Sequence, residues 1–594
     1  MSFKGFFIVL GMSISIIAHA EEVVVTPTRY SQSVKDVIPS IIVIDRETIE
    51  RSQTADIADL LRWHAGLDIG RTGGFGQQTS VFVRGTNSNH TAVLINGIKM
   101  NSATTGAAAL EMINTSAIER IEIIKGPRST VYGSEAIGGV INIITTDSSK
   151  DSKADIFFSN GRYSSSEQGI NLVYKNDYIA GGFTFDRFNT DGFPTTQTSN
   201  TDHGHDKDTV NVDLKSTIGS SELIFNYWQV EGNTEYDSFG TDLDQDRDND
   251  VISMVFNVPV SENWQSSLSI SRARDEIRQN QVNFLSDEDF AFTDRFVYDW
   301  KNDLLLSGHI FTFGASLADE ETESLSFGTS YKEDTDIYSV YLHDQLIKDK
   351  HSLFSSTRFT DHDDFNDAVT WNLEYGYNIA DNAKLFASVG TGFRAPDSNA
   401  RFGFGGNPDL KEETSRSLEV GLNYNINSST AFSIRAFENK IEDLIETLLI
   451  DPGSFTFENR NIAEARIQGV ELSFQHQYKQ WDVALEGIIQ NPRNESDDSP
   501  LLRRAKRTVT SSISYNYDQF FVLLNGLLTS ERRDFGDEVL AGYGLVGLSA
   551  GFNFPSAIVA LKVENLLDKE YELASGFNTP GQSIFAELRI KFAE

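Results

Sequence analysis

Leu418-Glu419-Val420-Gly421-Leu422-Asn423-Tyr424-Asn425-Ile426 places an apolar side chain at every second position. Period two is the signature of a β-strand with one apolar and one polar face. The pattern returns where Val470, Leu472 and Phe474 alternate with Glu471, Ser473 and Gln475. It returns again near the end, where Ile584, Ala586, Leu588, Ile590 and Phe592 are separated by Phe585, Glu587, Arg589 and Lys591. In a soluble sandwich the apolar set faces inward, whereas in a membrane barrel it faces lipid and the polar set lines the lumen. Alternation alone does not choose between them. Size does: residues 149–594 carry this texture almost without a break, too long a run for one sandwich. At roughly twenty residues per strand and connection the run yields about 22 strands, and barrels of that size are plugged.

Composition agrees. Mean hydropathy is −0.30, and no run of 18 apolar residues exists to make a spanning helix. Only closed barrels and helices cross a bilayer, so a barrel remains open. The 86 acidic and 50 basic side chains give a net charge of −36, which repels polyphosphates and excludes a nucleic-acid partner. Cysteine is absent, so disulfides, thiolate metal sites and cysteine nucleophiles are excluded.

Upstream of the barrel texture lie two further segments. Residues 1–20 read as a secretory signal peptide: Lys4, a short apolar run from Gly5 to Ile17, then Ala18-His19-Ala20, with Glu21 starting the mature chain. Residues 29–148 read as a compact α/β unit. It is expected to hold a strand over 40–44, a helix capped by Asp45, and a second helix over 54–63 ended at Gly66. Strands follow over 80–84, 92–95 and 121–124, then a turn-rich stretch over 126–139 and a last strand over 140–145. Such a unit is what a wide lumen would hold.

The run Gly126-Pro127-Arg128-Ser129-Thr130-Val131-Tyr132-Gly133-Ser134-Glu135-Ala136-Ile137-Gly138-Gly139-Val140, with its apolar flanks from Ile123 to Thr145, resembles the plug signature of TonB-dependent outer-membrane receptors. Gly392-Phe393-Arg394-Ala395-Pro396, Asn407-Pro408-Asp409-Leu410-Lys411 and Asn565-Leu566-Leu567-Asp568-Lys569-Glu570-Tyr571 are similar to barrel motifs of that family. Glu21-Glu22-Val23-Val24-Val25-Thr26-Pro27-Thr28 resembles a TonB box, a β-prone segment suited to adding a strand to TonB's sheet edge. The resemblance implies an all-β barrel with an α/β plug in its lumen, set in outer-membrane lipid, working as a monomer with TonB as its periplasmic partner. Within the family the chain is most similar to cobalamin-transporting members, over Ser80-Val81-Phe82-Val83-Arg84-Gly85-Thr86-Asn87-Ser88-Asn89-His90 and Leu501-Leu502-Arg503-Arg504-Ala505-Lys506.

That resemblance implies ligand contacts at Ser80, Asn87, Thr105, Gly106, Ser238 and Arg503, with Gln78 a polar replacement at an apolar contact. Two segments concentrate carboxylates. One is Asp202 to Asp208, with His203 and His205 inside it. The other holds seven acids between Glu235 and Asp250 against the single Arg247. Hard oxygen donors suit calcium, but a solvated acidic loop reads the same. An EF-hand is excluded, because Arg247 stands where its glycine belongs and Ser253 where its glutamate belongs. The resemblance implies calcium on Asp206, Asp208, Tyr236, Asp237 and Asp246, while the two histidines leave a transition metal open. Three functions compete: cobalamin uptake, ferric siderophore uptake, and an outer-membrane enzyme. No Gly-x-Ser-x-Gly elbow supports the enzyme, and residues 393–410 carry no histidine of the kind haem receptors use.

Overall fold

The computed structural model describes residues 24–25, 29–30, 32–33, 37–145, 152–238, 240–280, 288–451 and 456–593. The signal-peptide reading and Glu21, Glu22, Val23, Thr26, Pro27 and Thr28 of the TonB box lie outside them. Val24–Val25 pair antiparallel with Gln32–Ser33.

Lys153–Gly161 opens a barrel of 22 strands, each antiparallel to the next. The last, Ser583–Ala593, pairs back onto the first, with Ile156 opposite Ile590, so the sheet has no edge. The face question left by the alternation is settled by exposure. Leu418 is 53% and Leu472 45% exposed, while their neighbours Glu419 and Glu471 are buried toward the lumen. The apolar set therefore makes the outer belt, the arrangement that lipid requires.

Connections at the end where the barrel strands begin and finish are tight turns, such as residues 219–220 and 479–480. Several connections at the opposite end are longer, including 395–412, 495–506, 530–542 and 565–582, although 327–328 and 363–364 are two-residue turns. Long loops outside and short turns on the periplasmic side is the expected polarity. Strands such as Thr456–Tyr478 greatly exceed the ~9–11 residues needed to cross a bilayer. Their outer ends rise as a rim above the membrane.

The plug fills the lumen. Its central sheet runs Ser40–Asp45, Ile118–Lys125, Gly139–Thr145, Thr91–Ile95, Ile98–Lys99 in spatial order. Asp45 caps the helix Arg46–Ser52 by accepting from the Thr48 N–H, as its sequence suggests. The second helix is shorter than expected, Ile57–Leu61. Asp56 caps it at Ala58 and also takes Arg71 at 2.6 Å, which fixes the start later. The turn-rich stretch over 126–139 contains a helical turn, Ser129–Tyr132. The strand expected over 80–84 is Thr79–Val83 of a separate hairpin, and its partner Leu67–Arg71 escaped the sequence reading because Asp68, Gly70 and Arg71 interrupt it. Ile121, Ile123, Ile141 and Ile143 are fully buried in the plug core.

Buried ion pairs hold the plug in register with the wall. Arg84 bridges Glu419 at 2.5 Å and Glu471 at 2.6 Å, Lys125 reaches Glu471 at 3.1 Å, and Arg128 reaches Glu374 at 2.6 Å. Such pairs contribute little net stability, but losing one partner is costly because it strands the other. At the periplasmic side Arg29 binds Asp299 through two bonds of 2.8 and 3.1 Å, directly after the TonB-box residues.

Candidate ligand face and acidic rim

Three plug loops meet the outer opening. The first, residues 72–78, joins the separate hairpin. Its Gly76 has φ +74°, and a Cβ there would lie 2.3 Å from His205 Nδ1, so only glycine lets this apex dock against the wall. Phe75 packs on Phe188 at 5.0 Å, and Gln77 donates to the Glu235 carbonyl at 2.7 Å. The loop thus sits beside the acidic strands. Gln78 is exposed at its end, and Ser80 is half-buried one step down the hairpin.

The second loop runs from Gly85 to His90. Asn87 is half-buried, and its Oδ1 accepts from Arg504 Nη2. Arg504 also donates to the Gly85 carbonyl at 3.3 Å and lies over the Phe82 ring at 4.1 Å. Arg504 forms no ion pair among the described residues, and burial lowers its pKa to about 10. At the loop's end His90 Nε2 lies 3.1 Å from Glu413, which also takes Arg394 at 2.6 Å.

The third loop carries Thr105, exposed, and Gly106, which has φ +74° and packs on Arg394 and Asp397. The barrel helix Ser398–Phe402 seats on it, with the Ser398 and Asn399 N–H groups donating to the carbonyls of Ala103 and Thr104 at 3.0 and 2.9 Å.

Of the six expected ligand residues, three gather at one edge. Gly70 pairs with Ser80, and a Cβ on Gly70 would lie 3.7 Å from Arg503 Cδ. Arg503 therefore lies over the strand pair that carries Ser80, next to the Arg504–Asn87 contact. Its Nε donates to Asp534 at 2.8 Å, and its guanidinium lies 5.3 Å from the Phe535 ring centre. Thr105 and Gly106 belong to the separate third loop. Ser238 sits at the tip of the acidic hairpin. The role of Arg504 escaped the sequence reading, and the arginine pair is its one local signal; Phe535, 69% exposed beside Arg503, stands at the same edge.

The five expected calcium ligands divide into separate groups. Asp206 and Asp246 flank Asn233 across adjacent strands on the outer face, and Asn233 donates to Asp246 at 2.8 Å. Asp208, two residues along that face, is held by Arg187 at 2.5 and 2.7 Å. Tyr236 shares the inward parity of Thr234, and its buried hydroxyl has no partner. Asp237 lies at the hairpin tip, within 4.8 Å of Asp242 and His203. The donor chemistry suits a hard cation, but the five do not converge on one point in this conformation. Arg247, the hairpin's only cation, turns inward to Glu111 at 3.5 Å and Asp275 at 3.7 Å, so what counter-charge the rim acids have comes from neighbouring strands, as Arg187 to Asp208 and Arg274 to Asp248 at 3.6 Å. The transition-metal alternative fares worse. The Thr195 N–H donates to His203 Nδ1 at 3.2 Å, so Nε2 carries the proton and presents it to Asp242 at 3.1 Å. His205 faces the plug apex instead.

Comparison with known proteins follows the same lines. Residues 33–140 match the family model described as TonB-dependent Receptor Plug Domain, and residues 143–566 match TonB dependent receptor-like, beta-barrel. A curated relative, Vitamin B12 transporter BtuB of Vibrio vulnificus, is 31% identical over 97% of both chains. Another of that name, from Photobacterium profundum, is 30% identical over 96% of this chain and 95% of its own. Among solved structures, the siderophore receptor PirA from Acinetobacter baumannii superposes with TM-score 0.82 at 18% identity, covering 93% of this chain and 98% of that one. The ferric enterobactin receptor PfeA of Pseudomonas aeruginosa gives 0.80 at 15%, covering 94% and 99%, and at such identities the likeness speaks for the fold alone. With both halves matched and the 22-stranded barrel closed around its plug, the chain belongs to the TonB-dependent receptors, the plugged β-barrels of the outer membrane.

Proposed function

We propose that this receptor takes up cobalamin or a closely related corrinoid. The observation that carries this reading is identity of about 30%, spread over nearly the whole of both chains, with relatives named as vitamin B12 transporters. The ligand face supports it. Ser80, Asn87 and Thr105 offer hydroxyl and amide groups, and such groups pair with the amide side groups of a corrinoid. Arg503 and Ser238 are the barrel residues proposed to complete the site, and Gly106 gives the third loop its close approach to Arg394.

Ligand is captured by the plug loops from outside. Calcium is the cation proposed for the rim. Asp206, Asp208, Tyr236, Asp237 and Asp246 are the residues that would hold it after the rim strands rearrange to bring them together, and its charge would offset acids that Arg247 does not reach. Binding at the outer face biases the plug, and the bias is felt at the periplasmic segment that contains residues 21–28. TonB then adds a strand to that segment. Release of Arg29 from Asp299 is the step that frees it.

The test is equilibrium binding of cyanocobalamin to the detergent-purified receptor, with calcium and then with excess chelator. Tight binding that weakens on chelation supports both readings. Tight binding indifferent to chelator removes calcium and keeps the ligand. Absence of binding in both conditions overturns the corrinoid and turns attention to ferric siderophores.

A further inference from the structure

The plug does not fill the barrel evenly. Its helix Arg46–Ser52 and the residues after it are seated on one wall, strands Phe520–Thr529 and Tyr543–Phe554. There Trp63 closes over Gly547, where a Cβ would stand 3.1 Å from the indole, and Ser549 reaches the Ser52 carbonyl at 3.5 Å. On the other side of that helix a cavity of 1490 Å³ separates the plug from strands Glu413–Asn427 through Arg507–Tyr517. That is larger than the ~300–1,000 Å³ of an ordinary ligand pocket. It lies at the periplasmic end, since its walls include the turn residues around Ser428 and Ser429.

The same wall leads straight up to the ligand face. Along Glu413–Asn427 the order from outside inward is Glu413 beside His90, Glu419 beside Arg84, then Asn425 in the cavity. Along Thr456–Tyr478 it is Glu471 beside Arg84 and Lys125, then Gln475 in the cavity. Between the loop bearing Asn87 and the cavity this wall places the ion pairs of Arg84 and Lys125 and an apolar cluster in which plug residues Ala65 and Ile137 meet Phe437, Ile467 and Ile488. We propose that the cargo leaves the receptor along this wall, past the ion pairs and the apolar cluster and into the periplasmic cavity, while the helix Arg46–Ser52 stays docked on the adjoining strands Phe520–Thr529 and Tyr543–Phe554.

The lining narrows the cargo class, an argument that rests on the uptake reading above. Barrel residues facing the cavity include Asn425, Gln475 and Ser512, together with the acid Asp482, and none is lysine or arginine. The plug arginines that reach it are already paired: Arg46 with Glu50 at 2.8 Å, Arg120 with Glu122 at 2.8 Å, and Arg51 with Glu47. Amide and hydroxyl groups without a spare cation suit a neutral, amide-bearing solute. A multiply anionic iron chelate would meet Asp482 and find no counter-charge.

The experiment fills the passage from the barrel side. Gln475→Trp and Ser512→Trp, singly and together in the full-length receptor, are expected to assemble normally and to bind cyanocobalamin outside with unchanged affinity. Uptake of labelled cyanocobalamin into TonB-competent cells is expected to fall about tenfold in the double variant. Uptake at the wild-type rate through the filled cavity overturns the passage. A second arm needs no bulk. The chain has no cysteine, so Gln475→Cys supplies a single thiol in an open cavity. Its reaction with a small maleimide is expected to slow during active uptake and not in cells lacking TonB; equal labelling in both also overturns the passage. External binding is read in every variant and in the wild type. A wild-type chain that binds no cyanocobalamin refutes the corrinoid reading, whereas one that binds and transports past the two tryptophans refutes only the route.

Discussion

The plug sheet and the barrel wall use the same apolar residues in opposite ways. In the plug, Ile121, Ile123, Ile141 and Ile143 are buried on one face of a sheet and Ile124 and Val140 on the other. In the wall, Leu418, Leu472 and Ile584 stand exposed on the outside, and the polar partners of each strand are the buried ones. The difference is one of solvent. A plug side chain is covered only because its neighbours pack on it, whereas a wall side chain is covered by lipid whatever its neighbours do.

Substitutions should separate the two regions. The largest effect belongs where they meet. Glu471→Ala leaves Lys125 without its carboxylate and Arg84 with Glu419 alone, and is expected to cost ~3–5 kcal/mol of plug docking, read as faster hydrogen exchange in the plug with the barrel unchanged. Next, Ile123→Ala should destabilise the plug by ~2–5 kcal/mol, while Leu472→Ala should leave the barrel's thermal unfolding nearly unmoved. Equal losses in the two would break the comparison. Leu472→Arg would reverse that tolerance, at ~2–4 kcal/mol if the site lies near mid-bilayer.

A pH dependence is specific to the plug. Burial pushes the Asp68 carboxyl up to about 6, against the opposing pull of Arg532 and Arg504. The folded plug therefore holds a proton that the unfolded chain has lost between about pH 4 and 6. Stability of the hairpin should fall as pH rises through that window, by at most ~1.4 kcal/mol per pH unit, and level off above it. Exchange protection of residues 67–71 reads the slope, and Asp68→Asn should abolish it. The smallest effect falls at the ligand face: Asn87→Ala is expected to weaken cyanocobalamin binding by ~1 kcal/mol without altering assembly. Wild-type affinity in that variant would remove Asn87 from the site.

The residues show how far reading the sequence carries. Leu418 to Ile426 announced a half-apolar strand, and length with repetition announced a large closed barrel. Gly126 to Val140 announced the plug. Asp45 announced a helix start, and its side chain caps one. The strand over 80–84 announced itself but its partner Leu67–Arg71 did not, because Asp68 and Gly70 sit there beside Gln490 and Arg503, residues more than four hundred positions away. The site was legible as residue types: hydroxyls and amides near 80–106, carboxylates near 206 and 237. Its arrangement was not. Ser80, Asn87 and Arg503 gather because a plug hairpin and a barrel loop happen to face one another. Asp206 and Tyr236 part company because neighbouring strands turn them to opposite faces.

By itself, then, the sequence determined that the chain forms amphipathic strands, how many there are, and that a plug precedes them. Those properties follow from local periodicity and turn chemistry, which act over a few residues. Which face meets lipid, which acids share a rim, and on which wall the plug leaves a gap were decided only by tertiary structure. Each depends on closure of the barrel, which brings Lys153–Gly161 beside Ser583–Ala593 and fixes every luminal side chain against a plug folded from a distant stretch of chain.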